Sequence, residues 1–106
     1  TPESVIDLQV AFGSDIMMPL DHLLGLPAKP RKISEATART RRWLERSIMA
    51  HREHPGGEKG ALFGICQGGM DLDLRREEAQ FLATCDVSGS AIGGLSVGEP
   101  KDVMAE

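Results

Sequence analysis

The sequence predicts an α/β fold built on parallel strands. Three short apolar runs, at residues 15–20, 61–66 and 90–94, alternate strictly with helix-patterned stretches. Each run ends in a polar residue or in glycines. Runs of this length that are apolar throughout suit strands buried on both faces by helices, as in a parallel sheet.

The elements follow in order. Pro2 and Ser4 open a first helix in which Val5, Leu8 and Phe12 recur at helical spacing, and Gly13 supplies the stop. A strand over residues 15–20 ends at Asp21, and Gly25, Pro27 and Pro30 mark a loop. Ser34 is the expected N-cap of a long helix reaching His54. Ile33, Ala36, Thr40, Trp43, Leu44, Ser47 and Ile48 form its core stripe, with Arg39, Arg42 and Arg46 on the wet side. After Pro55, Gly56 and Gly57 comes the strand over residues 61–66, running into Gln67, Gly68 and Gly69. A helix over residues 71–84 places Leu72, Arg75, Arg76, Ala79 and Leu82 at helical spacing, with acids in its first turn to suit the dipole. The third strand runs into Gly93 and Gly94, and Glu99 with Pro100 prepares a further helix.

Bulk properties narrow the class. Hydrophobic residues make up 41% and charged residues 26%, an ordinary globular balance without an apolar run long enough to span a bilayer. With no membrane segment or signal pattern in view, the expected location is cytoplasmic. Cys66 and Cys85 lie far apart with no C-x-x-C pair, so neither a disulfide framework nor a zinc site is read here. Net charge is −4 but uneven: residues 29–54 hold eight Lys/Arg against three Glu, leaving four against thirteen elsewhere. That basic stretch suits either a phosphate-binding face for a nucleic acid or a solvated helix face with Glu35–Arg39 and Arg41–Glu45 pairs. His51 and His54 have no third ligand nearby in the sequence, and a helix C-terminus favours histidine in any case.

In parallel α/β folds the C-terminal ends of all strands open on one side, where ligands bind. Asp21, Gln67 and the Gly93–Gly94 pair all occupy that position. A carboxylate accepts from ring N–H and amino donors, while a carboxamide and a glycine N–H donate to a carbonyl or ring nitrogen. A guanine-like edge carries those groups. The same trio also suits a sugar, an amide or another purine. Asp21 equally suits a loop cap, and Gly93–Gly94 a tight turn.

The segments GSDIMM followed by Asp21, ALFGICQGG and AIGGLSVGEP, in that order, resemble three successive motifs of the bacterial-type tRNA-guanine transglycosylases. RRWLERSIMAH and DLDLRREEA are similar to that family as well. The resemblance covers essentially the whole chain and implies part of a TIM-type (β/α)8 barrel with three parallel strands and intervening helices. A closed barrel of that kind needs roughly 250 residues. Residues 1–106 are therefore expected to be an internal segment of a single barrel domain, without the family's zinc subdomain. As a part-barrel with uncovered strands, the segment in isolation is expected to be poorly soluble or partly disordered.

The family's reaction, as the resemblance implies it, replaces guanine at the tRNA wobble position with a 7-deazaguanine, through a covalent ribosyl-aspartate stage. Asp21 and Gln67 would bind the heterocycle, Gly94 would donate its backbone N–H, Leu95 would offer a carbonyl to an aminomethyl group, and Glu99 would steady that peptide. His22, Leu23, Gly93 and Val97 would form the pocket wall. His22 and Leu23 depart from the family's usual acidic residue and cysteine, which bears on the preferred deazaguanine. Val97 is the bacterial-type choice and favours the smaller aminomethyl-deazaguanine over queuine. The family's nucleophilic aspartate, its proton-transferring aspartate and its structural zinc ligands match nothing within residues 1–106, so the segment alone is expected not to catalyse. The implied partners are tRNA, the deazaguanine base and a second copy in a homodimer. Two alternatives remain at this point: a non-catalytic tRNA-binding paralogue, and another barrel enzyme that binds a phosphorylated ligand at its glycine-rich strand ends.

Overall fold

Helix α1 (Pro2–Phe12) opens on a capping box. The Thr1 hydroxyl accepts the Ser4 backbone N–H at 3.0 Å, and the Thr1 amino group donates to the Ser4 hydroxyl at 3.0 Å. Gly13 ends the helix at φ 71°, a left-handed conformation that glycine adopts without a Cβ clash. The buried stripe is Pro2 and Ile6 with Val10 beside them, not Val5, Leu8 and Phe12; Leu8 is 55% and Phe12 79% exposed. Both stripes have helical spacing, and contact with the long second helix decides between them. The computed structural model describes residues 1–25, 28–94 and 102.

Strand β1 is confined to Ile16–Met17, shorter than the apolar run over residues 15–20. Pro19 explains where pairing with β2 stops: the Ala61 N–H donates to the Asp15 carbonyl, so alternate residues 15, 17 and 19 face β2, and proline has no N–H to continue the ladder. On the opposite edge of β1 the Gln9 side-chain amide donates to the Met18 carbonyl at 2.8 Å and accepts the Met18 N–H at 2.8 Å.

Helix α2 spans Pro30–Glu53, with Lys29 at the N-cap and Pro30 in the first turn. It therefore starts a turn before the Ser34 cap expected from the sequence. The fixed φ of proline is already helical, and its missing N–H is one the first turn leaves unpaired anyway. Ile33, Ala36, Thr37, Thr40, Leu44 and Ser47 are buried along one face. The expected Glu35–Arg39 and Arg41–Glu45 pairs are replaced by others: Arg31 binds Glu35, while Arg41 reaches across to the buried Glu78 and lies over the Phe81 ring. A tertiary partner thus displaces the Arg41–Glu45 pair, while Glu35 pairs one turn earlier within α2; such in-helix pairs are each worth only about 0.5 kcal/mol.

A 3-10 turn at Gly57–Lys59 leads into β2 (Ala61–Cys66), followed by α3 (Leu72–Thr84) and β3 (Gly89–Ile92). Asp71 caps α3, its carboxylate accepting the Leu74 N–H at 3.0 Å. Of the residues at helical spacing on α3, Leu82 is buried and Arg75 half-buried, while Leu72, Arg76 and Ala79 are exposed; Glu78 is buried as well. The expected strand at residues 90–94 begins one residue earlier and gives way after Ile92.

The three strands form a parallel sheet, as the alternation predicts, and their order is β1-β2-β3. Ile16 stands opposite Ala61, and Cys66 opposite Ile92. Burial along β2 alternates rather than being continuous: Leu62 and Gly64 are buried while Ala61, Phe63 and Ile65 are half-buried. Among the described residues, then, the strands are fully covered on one face only. Leu62 joins Ile6 and Met17 in the core. At Gly64 the packing is tight enough that a Cβ would sit 2.5 Å from Leu82 Cδ2 and 3.4 Å from Leu44 Cδ2. The lack of a side chain there lets Leu44 of α2 and Leu82 of α3 pack directly against β2. The helix expected after Pro100 lies outside the described residues.

Candidate functional site

The C-terminal ends of the strands carry the polar residues that the sequence places there. Asp21 follows β1 by a short extended stretch and is half-buried; Gln67 follows β2 directly and is 5% exposed. The Gln67 side-chain N–H donates to Asp21 Oδ2 at 2.7 Å. A buried carboxamide must find partners, since leaving one unpaired costs about 1–3 kcal/mol. Asp21 supplies one.

Gly93 and Gly94 complete the cluster from β3. The Gly93 N–H donates to the Cys66 carbonyl at 2.9 Å, carrying the parallel pairing one step past the strand. Gly94 is buried with φ 69°. A Cβ there would lie 2.9 Å from Gln67 Oε1 and 3.0 Å from an Arg75 guanidinium nitrogen, so both backbone conformation and space call for glycine. Gly68 and Gly69 also adopt positive φ, at 137° and 56°. Asp21, Gln67, Gly93 and Gly94 are thus gathered at one edge of the sheet.

Beside them lies a cavity of about 270 Å³, open mouth included, lined by His22, Leu24, Gln67, Gly69 and Gly94 together with Ile33, Ala36 and Thr37 of α2. Asp21 is not part of its lining. His22 is anchored through its backbone N–H to Thr40 Oγ1 at 2.9 Å, and its Nδ1 faces an Arg39 N–H at 3.0 Å. A guanidinium only donates, so Nδ1 is the acceptor in that contact. Leu23 is 51% exposed and stands outside the cavity, where Leu24 takes the wall position. Leu95, Val97 and Glu99 lie outside the described residues.

One residue of the cluster carried no signal of its own in the sequence. Arg75, in the first turn of α3, donates from Nε to the Gly69 carbonyl at 2.6 Å and from a terminal nitrogen to the Gly94 carbonyl at 3.2 Å. Helical spacing placed it on α3 but did not mark it as part of the site, because its partners are backbone oxygens in loops. Cys66 lies alongside, its Sγ 3.6 Å from the Arg75 carbonyl. Burial pushes the Cys66 thiol up from its ordinary value, with the Arg75 charge pulling the other way.

The remaining candidates resolve into structural contacts. His51 Nε2 meets the Gly60 carbonyl at 2.8 Å, and His54 pairs with Asp7 at 3.3 Å. Among the described residues no three His, Cys, Asp or Glu gather closely enough to share a metal ion. Arg31, Arg41, Arg46 and Arg52 each face a carboxylate, which favours the solvated-face explanation of the basic stretch. No helix among the described residues is long and apolar enough to cross a membrane.

Fold and site together define a class: a parallel α/β protein with a cluster of polar residues and glycines at the C-terminal edge of its sheet, where such folds bind ligands. Within that class, the chain belongs to the queuine tRNA-ribosyltransferase family, whose sequence profile matches residues 1–106. It is 47% identical over 106 residues to a queuine tRNA-ribosyltransferase from Nostoc sp., covering 100% of this chain and 27% of the relative. The corresponding proteins of Halalkalibacterium halodurans and Thermoanaerobacter pseudethanolicus are 49% and 51% identical over 104 residues, each match covering 98% of this chain and 27% of the relative. The chain spans about 27% of the length of these relatives.

Proposed function

We propose that residues 1–106 supply the base-recognition part of a tRNA-modifying pentosyltransferase, which exchanges guanine at the tRNA wobble position for a 7-deazaguanine. The observation that carries this is the Gln67–Asp21 hydrogen bond at 2.7 Å, with Gly94 beside it. Two strand ends thereby hold an acceptor and an amide, next to a backbone that a third strand end brings close. That set matches the donor and acceptor pattern of guanine, and family membership supplies the reaction class.

In this reading Asp21 accepts from the ring N–H and exocyclic amino group of the base. Gln67 hydrogen-bonds the same heterocycle, and the Gly94 N–H donates to the base carbonyl. Leu95 and Glu99 serve the aminomethyl group of the incoming base, with His22, Gly93 and Val97 as pocket wall. The base must leave its stack to reach them, at a cost of a few kcal/mol that these contacts offset. The segment sits within one TIM-type barrel domain, and the aspartate that forms the covalent ribosyl stage comes from elsewhere in the complete protein. So do the ligands of a structural zinc ion. The partners are tRNA and a second copy of the protein, and the compartment is the cytoplasm.

Binding of guanine by the complete protein tests the proposal. Competition by a deazaguanine, but not by a sugar phosphate, is the expected result. Competition by the sugar phosphate alone would instead assign the glycine-rich strand ends to a phosphorylated ligand.

A further inference from the structure

Arg75 joins two loops that no other described side chain links. Its Nε–H goes to the Gly69 carbonyl, after β2, and a terminal N–H goes to the Gly94 carbonyl, after β3. A guanidinium is a rigid planar fork, so two of its donors fix two acceptors relative to each other as well as to itself. The stem is held in turn: Arg75 Cγ packs over Gly68, where a Cβ would come within 2.8 Å of it.

The clamp falls where the backbone most needs one. Glycine restricts its own torsions least of all residues, and three positive-φ glycines, Gly68, Gly69 and Gly94, stand at this edge of the sheet. Gly94 is tied on its upstream side, by the Gly93 N–H to the Cys66 carbonyl, and on its downstream side, by its own carbonyl to Arg75. Those two bonds restrict the torsions of Gly93 and Gly94 between them, and among the described residues only the upstream tie is left without Arg75.

We propose that Arg75 is the positioning residue of the base site, holding the Gly69 and Gly94 carbonyls so that the ends of β2 and β3 present a fixed backbone to the heterocycle. This rests on the base-recognition reading above. Arg75 acts through the backbone: it does not line the cavity, and its hydrogen bonds here go to the Gly69 and Gly94 carbonyls. Lysine cannot replace it, since an ammonium is a point charge on a flexible stem and cannot hold two separated carbonyls in one plane.

The test uses the complete protein and incorporation of labelled guanine into tRNA, with Arg75→Lys and Arg75→Gln measured beside Asp21→Asn. Both Arg75 variants are expected to raise KM for guanine about tenfold, with KM for tRNA within about twofold of wild type. Arg75→Lys keeps the charge and one hydrogen bond, so it reports even where Arg75→Gln fails to fold. An unchanged guanine KM would overturn the proposal. So would parallel rises in both KM values that follow a lowered melting temperature, which would make Arg75 a general structural residue. If Asp21→Asn weakens guanine while the Arg75 variants do not, only the positioning role falls. If Asp21→Asn also leaves guanine unaffected, the base-recognition reading fails and the positioning role goes with it.

Discussion

Gln67 hydrogen-bonds Asp21 at 2.7 Å, tying the ends of β1 and β2 together across 46 positions of sequence. The bond orients the carboxamide: with its N–H on Asp21, Oε1 is turned toward Gly94. One donor of Gln67 and one oxygen of Asp21 are thus paired before any ligand arrives. An incoming heterocycle therefore binds only if it supplies equivalent hydrogen bonds, which gives the pair a basis for rejecting ligands of the wrong pattern.

Removing either partner should cost base binding more than fold stability. Gln67→Leu and Asp21→Ala in the complete protein are each expected to weaken guanine binding at least about tenfold, the usual loss when a polar site group goes unpaired. Titration calorimetry with guanine checks this. Unaltered affinity in both variants would remove the pair from the site.

Gly94→Ala forces an L side chain into φ 69° and toward Gln67 Oε1 and Arg75. The expected cost is about 1–3 kcal/mol of stability, together with a loss of base affinity. Chemical denaturation and guanine titration of the same variant measure the two effects. Gly13→Ala is the control: it has similar φ but nothing within 4 Å of its Cβ, and should lose stability alone.

At Gly64 the expectation is non-additivity. Gly64→Ala should destabilise by about 1–3 kcal/mol through overpacking against Leu82, and Leu82→Ala by about 2–5 kcal/mol through a cavity. Combined, they should cost less than the sum, because the new methyl enters space that Leu82 vacates. Simple additivity in a double-mutant cycle would contradict the contact.

The Arg46 guanidinium hydrogen-bonds both Glu3 carboxylate oxygens, and this hydrogen bonding foremost holds the Glu3 carboxyl below its ordinary value. A lowered folded-state value means that the contribution is present above the ordinary carboxylate range. It is lost as pH falls through the lowered value. The melting-temperature gap between wild type and Glu3→Gln should therefore be widest near neutral pH and close in acid. Because the pair is exposed, high salt should narrow the gap at neutral pH. A gap that persists unchanged into acid would mean that the carboxylate charge is not its source.

The parallel direction of the strands was legible in the sequence because it follows from local patterns, apolar runs alternating with helical stretches and closed by glycines. The grouping of Asp21, Gln67 and Gly94 was legible for the same reason, since strand ends of a parallel sheet share an edge. Element boundaries were less so: Ser34 has the chemistry of a cap, but Pro30 starts the helix sooner. The burial of Ile6 rather than Leu8 and Phe12 depends on where α2 lies, which no spacing within α1 records. Gln9 and Arg75 were invisible as tertiary ties because they bind backbone groups, which leave no residue pattern to read.

The most direct test of the central claim is the crystal structure of the complete protein with guanine bound. The account expects the base at the strand ends, with Asp21 accepting from its N–H groups, Gln67 on the same ring system and the Gly94 N–H on its carbonyl. A base bound away from Asp21, for example wholly within the cavity against Ile33 and Thr37 of α2, would contradict it.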